Sequence, residues 1–414
     1  MIVYTARHVL SVASPQVTDG AVAVHEGRIA AVGRKTEVLK AVGDGAEVHD
    51  LGDAVLLPGL VNAHVHLDLS WMRDDPPPGG SYVAWFRDRM ERVEQAPDPI
   101  RREATEKAVA EMAARGTVAV GDAAGVPWTA GILARSPLHA VVFVELTGFR
   151  TEDAERLLDR AASSLDSIEN EPDVKAARGR VGVVLSPHSA HTVSASLLKA
   201  LAGRATASGE ILSIHLAETP DEAAMLMDGS GPFPGLLRAR GGWDEGWHAP
   251  GHSPVEYLDR LGVLCRRTLA IHCIHLGQQD MSKLQARGVT VVTCPRSNLR
   301  LGVGKTPVPK LLSAGIPVAL GTDSLASVSD LDLFFEMAGL RREHPTLSPA
   351  AVLRMATLNG ARALRLESNL GTLEKGKLAA LAAVSLSNPH DDPLEAVTSG
   401  PETVTVLPAP VVGG

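Results

Sequence analysis

His64 and His66 close an apolar run, GLVNAHVH, with one valine between them. Side chains alternate along a strand, so residues two apart point the same way and can share one metal ion. Polar groups recur where later apolar runs end. His188 and His191 follow VGVVLSP, His215 and Glu218 lie in SIHLAE, His272 and His275 in AIHCIH, and Asp323 in ALGTDS. Among fifteen histidines a chance pair is easily found, and each group alone would serve as an ordinary hydrogen-bonded side chain. Their shared placement at run ends points instead to one metal site. Asp323 in isolation reads as a helix cap; beside these histidines it is a carboxylate able to bind metal and take a proton from water. Glu218, three residues past His215, is placed for general acid/base work without being a ligand.

These groups need a frame that brings strand ends together. The runs GLVNAHVH, GTVAVGD, HAVVFVEL, RVGVVLSPHS, EILSIHLAE, TLAIHCIH, GVTVVTCP and IPVALGTDS are continuous in Val, Ile and Leu. Such runs suit parallel strands buried on both faces. Helical periodicity lies between them: Ala154, Leu157, Leu158, Ala161 and Leu165 share a face behind a cap at Thr151, and Ser194 precedes Leu197, Leu198 and Leu201. Eight strands alternating with helices predict an α/β chain folded as a (β/α)8 TIM-like barrel, whose strand C-termini converge on the catalytic face.

The two chain ends have another texture. AVAVHEGRIAAVG is a pair of short strands about a turn at Glu26-Gly27, and Leu370 to Val412 is turn-rich with ETVTVL as a strand. Residues 1–57 and 370–414 therefore form a small β-sandwich domain, discontinuous in sequence, around a barrel of residues 58–369. DDPPPGG, residues 74–80, is a loop, since prolines exclude helix and central strand. Residues 228–253 are Gly- and Pro-rich and carry Trp243 and Trp247; they read as a surface insertion placed to act as a lid.

Composition removes several function classes. The 414 residues are 45% hydrophobic and 21% charged, with net charge −8. There is no basic run for a nucleic-acid groove or an anionic membrane surface. Three cysteines, Cys265, Cys273 and Cys294, are too few for a disulfide framework and fit a cytoplasmic protein. No secretory leader, membrane-spanning run, Walker loop, dinucleotide fingerprint or nucleophile elbow is present.

LPGLVNAHVH, SIHLAE, AIHCIH and ALGTDS together resemble the amidohydrolase superfamily, most closely its mononuclear aminohydrolases, which deaminate nucleosides and aromatic bases. The resemblance extends over nearly the whole chain. It departs at Leu378-Ala379-Ala380-Leu381, where the family usually carries a structural Asp. The resemblance implies His64, His66, His215 and Asp323 as ligands of one divalent metal, zinc with iron as the alternative. It implies Glu218 as proton shuttle and His272 as the group orienting the attacking hydroxide. Relatives with two metals bridge them by a carboxylated lysine at the end of the fourth strand. Here that strand ends in LSPHSAH and the third in ELTGFR, neither with lysine, so one metal is implied.

On this resemblance the metal lowers the pKa of water from 15.7 towards about 7. Asp323 accepts the water proton, Glu218 protonates the ring nitrogen beside the amine-bearing carbon, and ammonia leaves. His188 and Ser189 resemble the PHS motif that meets base or sugar, although a tight turn would use the same residues. PRSNLRLGVGKTPV and GTDSLAS resemble deaminases of adenosine-like nucleosides with large 5′ substituents. The expected substrate is 6-aminodeoxyfutalosine, a carboxybenzoyl-bearing purine nucleoside of menaquinone biosynthesis, with Arg296, Arg300 or Lys305 meeting its carboxylate. S-adenosylhomocysteine or methylthioadenosine is the alternative, followed by guanine or a triazine. A barrel keeping metal only for structure would need neither Glu218 nor His272, and an amidase would want the missing lysine. The resemblance also implies a homodimer.

Overall fold

The computed structural model describes residues 1–73 and 81–407. The predicted loop DDPPPGG lies outside the described residues. Fifteen strands are described. In chain order they are β1 (Ile2–Val9), β2 (Val17–His25), β3 (Arg28–Arg34), β4 (Glu47–Asp50), β5 (Ala54–Pro58), β6 (Leu60–Val65), β7 (Thr117–Ala124), β8 (His139–Leu146), β9 (Val181–Pro187), β10 (Leu212–Leu216), β11 (Thr268–His272), β12 (Thr290–Thr293), β13 (Val318–Leu320), β14 (Leu381–Ser385) and β15 (Val404–Leu407).

Strands from both chain ends hydrogen-bond into one seven-stranded sheet, ordered β15-β14-β5-β1-β2-β3 with β4 beside β1. Its core is aliphatic: Val9, Val22, Val24, Ile29, Leu56 and Leu381 are fully or almost fully buried. The β2–β3 turn falls at Glu26 and Gly27, with φ of 50° and 71°. A two-residue hairpin loop requires that left-handed pair to match the strand twist, which is why glycine stands second. The polypeptide divides into two compact units, one of residues 1–63, 110–120 and 332–414 and the other of residues 64–109 and 121–331.

The eight runs expected as parallel strands are β6 to β13. They form two four-stranded sheets, ordered β6-β7-β8-β9 and β10-β11-β12-β13. β10, β11 and β13 are buried at every residue, as strands covered on both faces must be. β8 and β9 run parallel in register from Ala140 opposite Val181 to Leu146 opposite Pro187. Isolated parallel bridges join Val65 to Asp323 and Ser189 to His215. Hence the ends of β6 and β13 lie side by side, and so do those of β9 and β10.

Two local expectations need correction. Thr151 does not cap the Ala154–Glu169 helix; it opens a 3-10 turn ending at Asp153, which precedes the helix without a side-chain cap bond. Ser194 does cap its helix, accepting from the Leu197 amide. The Gly- and Pro-rich surface insertion of residues 228–253, for which no helix was expected, contains the Phe233–Ala239 helix. Phe233 is buried, and Trp243 and Trp247 pack on Phe149 with ring centroids 5.5 Å away in each case. Apolar burial anchors this segment, which the count of glycines and prolines did not register.

Candidate active site

The sharp strand ends of the second unit create the site. His272 and Asp323 have φ of 69° and 65°, and Ala217, just before Glu218, has 52°. Non-glycine residues in the left-handed region carry strain and cluster where side chains must be aimed. At Asp323 the turn is enforced by packing, because the amides of Thr322 and Asp323 both donate to the His64 carbonyl, at 3.0 and 3.2 Å. A side chain on Gly321 would put its Cβ 2.7 Å from that same oxygen. Glycine is therefore required for the two backbones to approach.

This geometry gathers His64, His66, His215 and Asp323. The Nε2 atoms of His66 and His215 stand 3.2 Å apart, and His66 Nε2 is 3.8 Å from Asp323 Oδ1. His64 Nε2 is buried with no hydrogen-bond partner. His215 Nδ1 donates to the His188 carbonyl at 3.0 Å, and His66 is bonded to the Ala123 backbone. Those contacts fix the tautomers and leave the Nε2 lone pairs facing one another, the arrangement of metal-binding imidazoles with occupied outer nitrogens. Ser297 and Ser327 donate to Asp323 Oδ2, the latter at 3.3 Å. Burial holds His64 and His215 well below the usual imidazole pKa and His66 down to about 4, Asp323 opposing the shift at His66. All three are neutral at physiological pH and able to donate a lone pair. Three neutral imidazoles, one with its buried Nε2 unpartnered, and a carboxylate fit a divalent metal of the zinc type.

Glu218 and His272 meet at the edge of this cluster, with Glu218 Oε1 3.7 Å from His272 Nε2. His272 Nδ1 donates to Asn298 Oδ1 at 2.8 Å, which turns Nε2 inward. Tyr82 donates its hydroxyl to Glu218 Oε2 at 2.7 Å. Burial raises the Glu218 pKa, with the Asp323 charge adding to the rise and His272 and the Tyr82 hydrogen bond opposing it. Burial and the neighbouring carboxylate also push the Tyr82 phenol far up, so it remains a donor. A buried carboxyl with a raised pKa is suited to hold and release a proton.

His188 and Ser189 are placed beside this cluster. The His188 ring is 4.8 Å from that of His215, and its Nδ1 bonds Thr192 and Ser189 at 2.9 and 3.2 Å. His191 packs with its ring tilted against Phe233, centroids 4.1 Å apart, and its Nε2 lies 3.5 Å from Ser189 Oγ. His275 is not gathered in, because its Nε2 donates to the Val303 carbonyl at 2.8 Å and steadies a loop. Arg296 is held by Asp330 at 2.6 Å, and Arg300 and Lys305 are exposed.

Sequence inspection missed Glu145. Its side chain, 8% exposed, stands at the end of β8 with Oε1 3.4 Å from His215 Nδ1 and Oε2 3.9 Å from His66 Nδ1. Burial, reinforced by Asp68 and Asp122, pushes its pKa up to about 8. The run-end position that marked the other groups marked HAVVFVEL too. Tyr82 and Asn298 were missed for want of any such signal. Beyond His66 opens a cavity of about 220 Å³, lined by Phe86, Arg89, Glu145, Thr147 and His188.

Three comparisons bear on this arrangement. A 5-methylthioadenosine/S-adenosylhomocysteine deaminase of Moorella thermoacetica is 34% identical over 397 residues, covering 92% of this chain and 85% of that protein. An aminodeoxyfutalosine deaminase of Deinococcus radiodurans is 32% identical over 356 residues, with 83% and 81% covered. The crystal structure of an adenosine deaminase from Xanthomonas campestris with bound zinc superposes with a TM-score of 0.80 at 28% identity, covering 97% and 89%. Residues 55–411 match the family described as the amidohydrolase family. On these matches, and with its histidine and aspartate strand ends so arranged, the chain belongs to the amidohydrolase family.

Proposed function

We propose that this protein is a metal-dependent aminohydrolase that releases ammonia from the adenine-type base of a nucleoside with an extended 5′ substituent. The observation that carries this reading is the pairing of Glu218 with His272, 3.7 Å apart, against the His64, His66, His215 and Asp323 cluster. A site that held metal for structure alone would have no use for either. Those four residues would hold the ion, zinc on the donor set, and Lewis-acid activation of water at neutral pH is the chemistry it would supply.

The chain's own groups do the rest. His272 Nε2, oriented by Asn298, holds the attacking water. Asp323, its Oδ2 already occupied by two serine hydroxyls, takes the water proton at Oδ1. Glu218 delivers a proton to the ring nitrogen adjacent to the amine-bearing carbon and so makes that carbon electrophilic. After attack, the proton held by Asp323 moves to the exocyclic nitrogen, the adduct's hydroxyl proton passes to Glu218, and the C–N bond breaks to release ammonia and leave a carbonyl. His188 and Ser189, beside the cluster, are assigned to base or sugar.

We further propose that β6 to β13 close as a (β/α)8 barrel of residues 58–369, which the bridges at Val65–Asp323 and Ser189–His215 support. The sheet of residues 1–57 and 370–414 would be the small β domain. The enzyme is assigned to the cytoplasm because three cysteines in 414 residues are too few for a disulfide framework.

Two substrates fit the class. 6-Aminodeoxyfutalosine, which would put the enzyme in menaquinone biosynthesis, is supported by the Deinococcus relative. S-adenosylhomocysteine or methylthioadenosine is supported by the Moorella relative, which is matched over more of its length. Ammonia release by zinc-loaded protein, measured against both groups with adenosine, guanine and a melamine-type triazine, tests the reading. Turnover confined to 5′-extended adenosines is expected; no turnover of any purine would end it.

A further inference from the structure

We propose that Arg89 is the specificity-determining residue that receives a carboxylate carried on the 5′ substituent of the substrate. The inference rests on the deaminase reading above.

The Tyr82–Gln95 helix presents Tyr82, Phe86, Arg89 and Val93, spaced i, i+4, i+7 and i+11, along one face. At the near end of this stripe Tyr82 touches Glu218, where the base would react. Arg89 lies seven residues further on, about 10 Å along the helix axis at 1.5 Å per residue. That separation suits the far end of a nucleoside rather than its base. Arg89 also lines the cavity that opens beyond His66, together with His188 and Glu145.

Its guanidinium is already oriented. It lies over the rings of Phe86 and Trp85, at 4.7 and 5.2 Å from their centroids. Stacking fixes the plane and leaves the N–H edge for an anion, the geometry in which arginine binds carboxylates in a fork. Among the described residues Arg89 has no ion pair or side-chain hydrogen bond, although three acids line the same cavity. Asp68 is paired with Arg101 at 3.3 Å, and Glu94 with Arg240. Glu145 faces His215 and His66 instead. The Arg89 charge acts on Asp68, Glu145 and Glu218, but none of them bonds it, and this half-buried cation on a cavity wall keeps its N–H groups for a ligand anion. Arg296, Arg300 and Lys305 do not compete, since Arg296 is bound to Asp330 and Arg300 and Lys305 are exposed.

The test compares zinc-loaded wild type, Arg89→Met and Arg89→Lys on carboxylate-bearing nucleosides (S-adenosylhomocysteine, 6-aminodeoxyfutalosine) and on neutral 5′-methylthioadenosine. Wild type should prefer a carboxylate-bearing member. In Arg89→Met the ratio of kcat/KM for that member over the neutral one should fall on the order of 10- to 100-fold, the range for losing a charged hydrogen-bonded contact. The loss should sit in KM, and Arg89→Lys should recover part of it. Circular dichroism and melting temperature verify that the variants are folded. A ratio unchanged within about threefold, or a wild type indifferent to the carboxylate, overturns the assignment of Arg89 and leaves the deaminase reading intact. No ammonia from any of these nucleosides overturns both.

Discussion

The Tyr82 hydroxyl donates to Glu218 Oε2 at 2.7 Å, joining the Tyr82–Gln95 helix to a carboxyl 136 residues later in the chain. This bond favours the charged form of Glu218 against the upward push of burial. Tyr82→Phe should therefore raise the Glu218 pKa. Because Glu218 acts as an acid, activity is lost as pH rises through that pKa, so the basic limb of the rate profile should move upward in the variant. A pH–rate profile identical to that of wild type would reduce Tyr82 to a packing group.

Glu218→Gln keeps the shape of the side chain and removes its proton. The variant should bind zinc stoichiometrically yet lose roughly 10²- to 10⁴-fold in kcat, the span of general acid/base catalysis. Metal analysis together with steady-state rates checks this, and near-normal turnover would remove Glu218 from the mechanism.

Metal removal should be felt in stability as well as activity. His64 Nε2 is buried without a partner, and a bound ion would complete it. Saturation at roughly a thousandfold above Kd would contribute about 4 kcal/mol to the folded state. Exhaustive chelation should abolish ammonia release and lower the melting temperature, with zinc restoring both. An unchanged melting curve after verified metal loss would contradict the assigned ligands.

Gly321→Ala probes the backbone that aims Asp323. Its Cβ would come within 2.7 Å of the His64 carbonyl and 3.1 Å of Cys294 Sγ, so one strand end must shift. Displacement by a fraction of an ångström at a ligand should weaken metal retention and cost at least about tenfold in kcat/KM. Far-UV circular dichroism should remain that of wild type. Full activity with full metal content would show that the site tolerates the shift.

Glu222 links stability to pH. Burial raises its pKa from 4.5 to about 8, although it accepts from the Glu218 amide at 3.0 Å. A folded-state pKa above the unfolded value means that the native protein binds the extra proton between those limits. Stability should therefore fall as pH rises from about 4.5 to about 8. Glu222→Gln, neutral throughout, should flatten that part of the melting-temperature profile. An unaltered slope would place the dependence on other groups.

Much of the frame was legible in the amino-acid order. The eight apolar runs became β6 to β13, and the Glu26-Gly27 turn fell where the residues required left-handed backbone. Four of the polar run ends stand together in the folded chain: His64 groups with His66 and Asp323, and His66 meets His215 at 3.2 Å. Thr151 was misread as a cap because it opens a 3-10 turn and gives its amide to Asp244, 93 residues away, and the packing of the 228–253 segment on Phe149 and around Phe233 is likewise hidden from local spacing.

The sequence by itself determined which residues could bind metal and move protons, since strand ends and side-chain alternation are local properties of the chain. Tertiary structure decided which of them do so together and in which state. It turned His275 onto Val303, tied His272 to Asn298, set Glu145 behind His66 and His215, and left Arg89 facing the cavity. These partners lie far apart in sequence, and only chain packing fixes their distances. Burial, which moves the Glu145 and His66 pKa values in opposite directions, exists only once the core has closed.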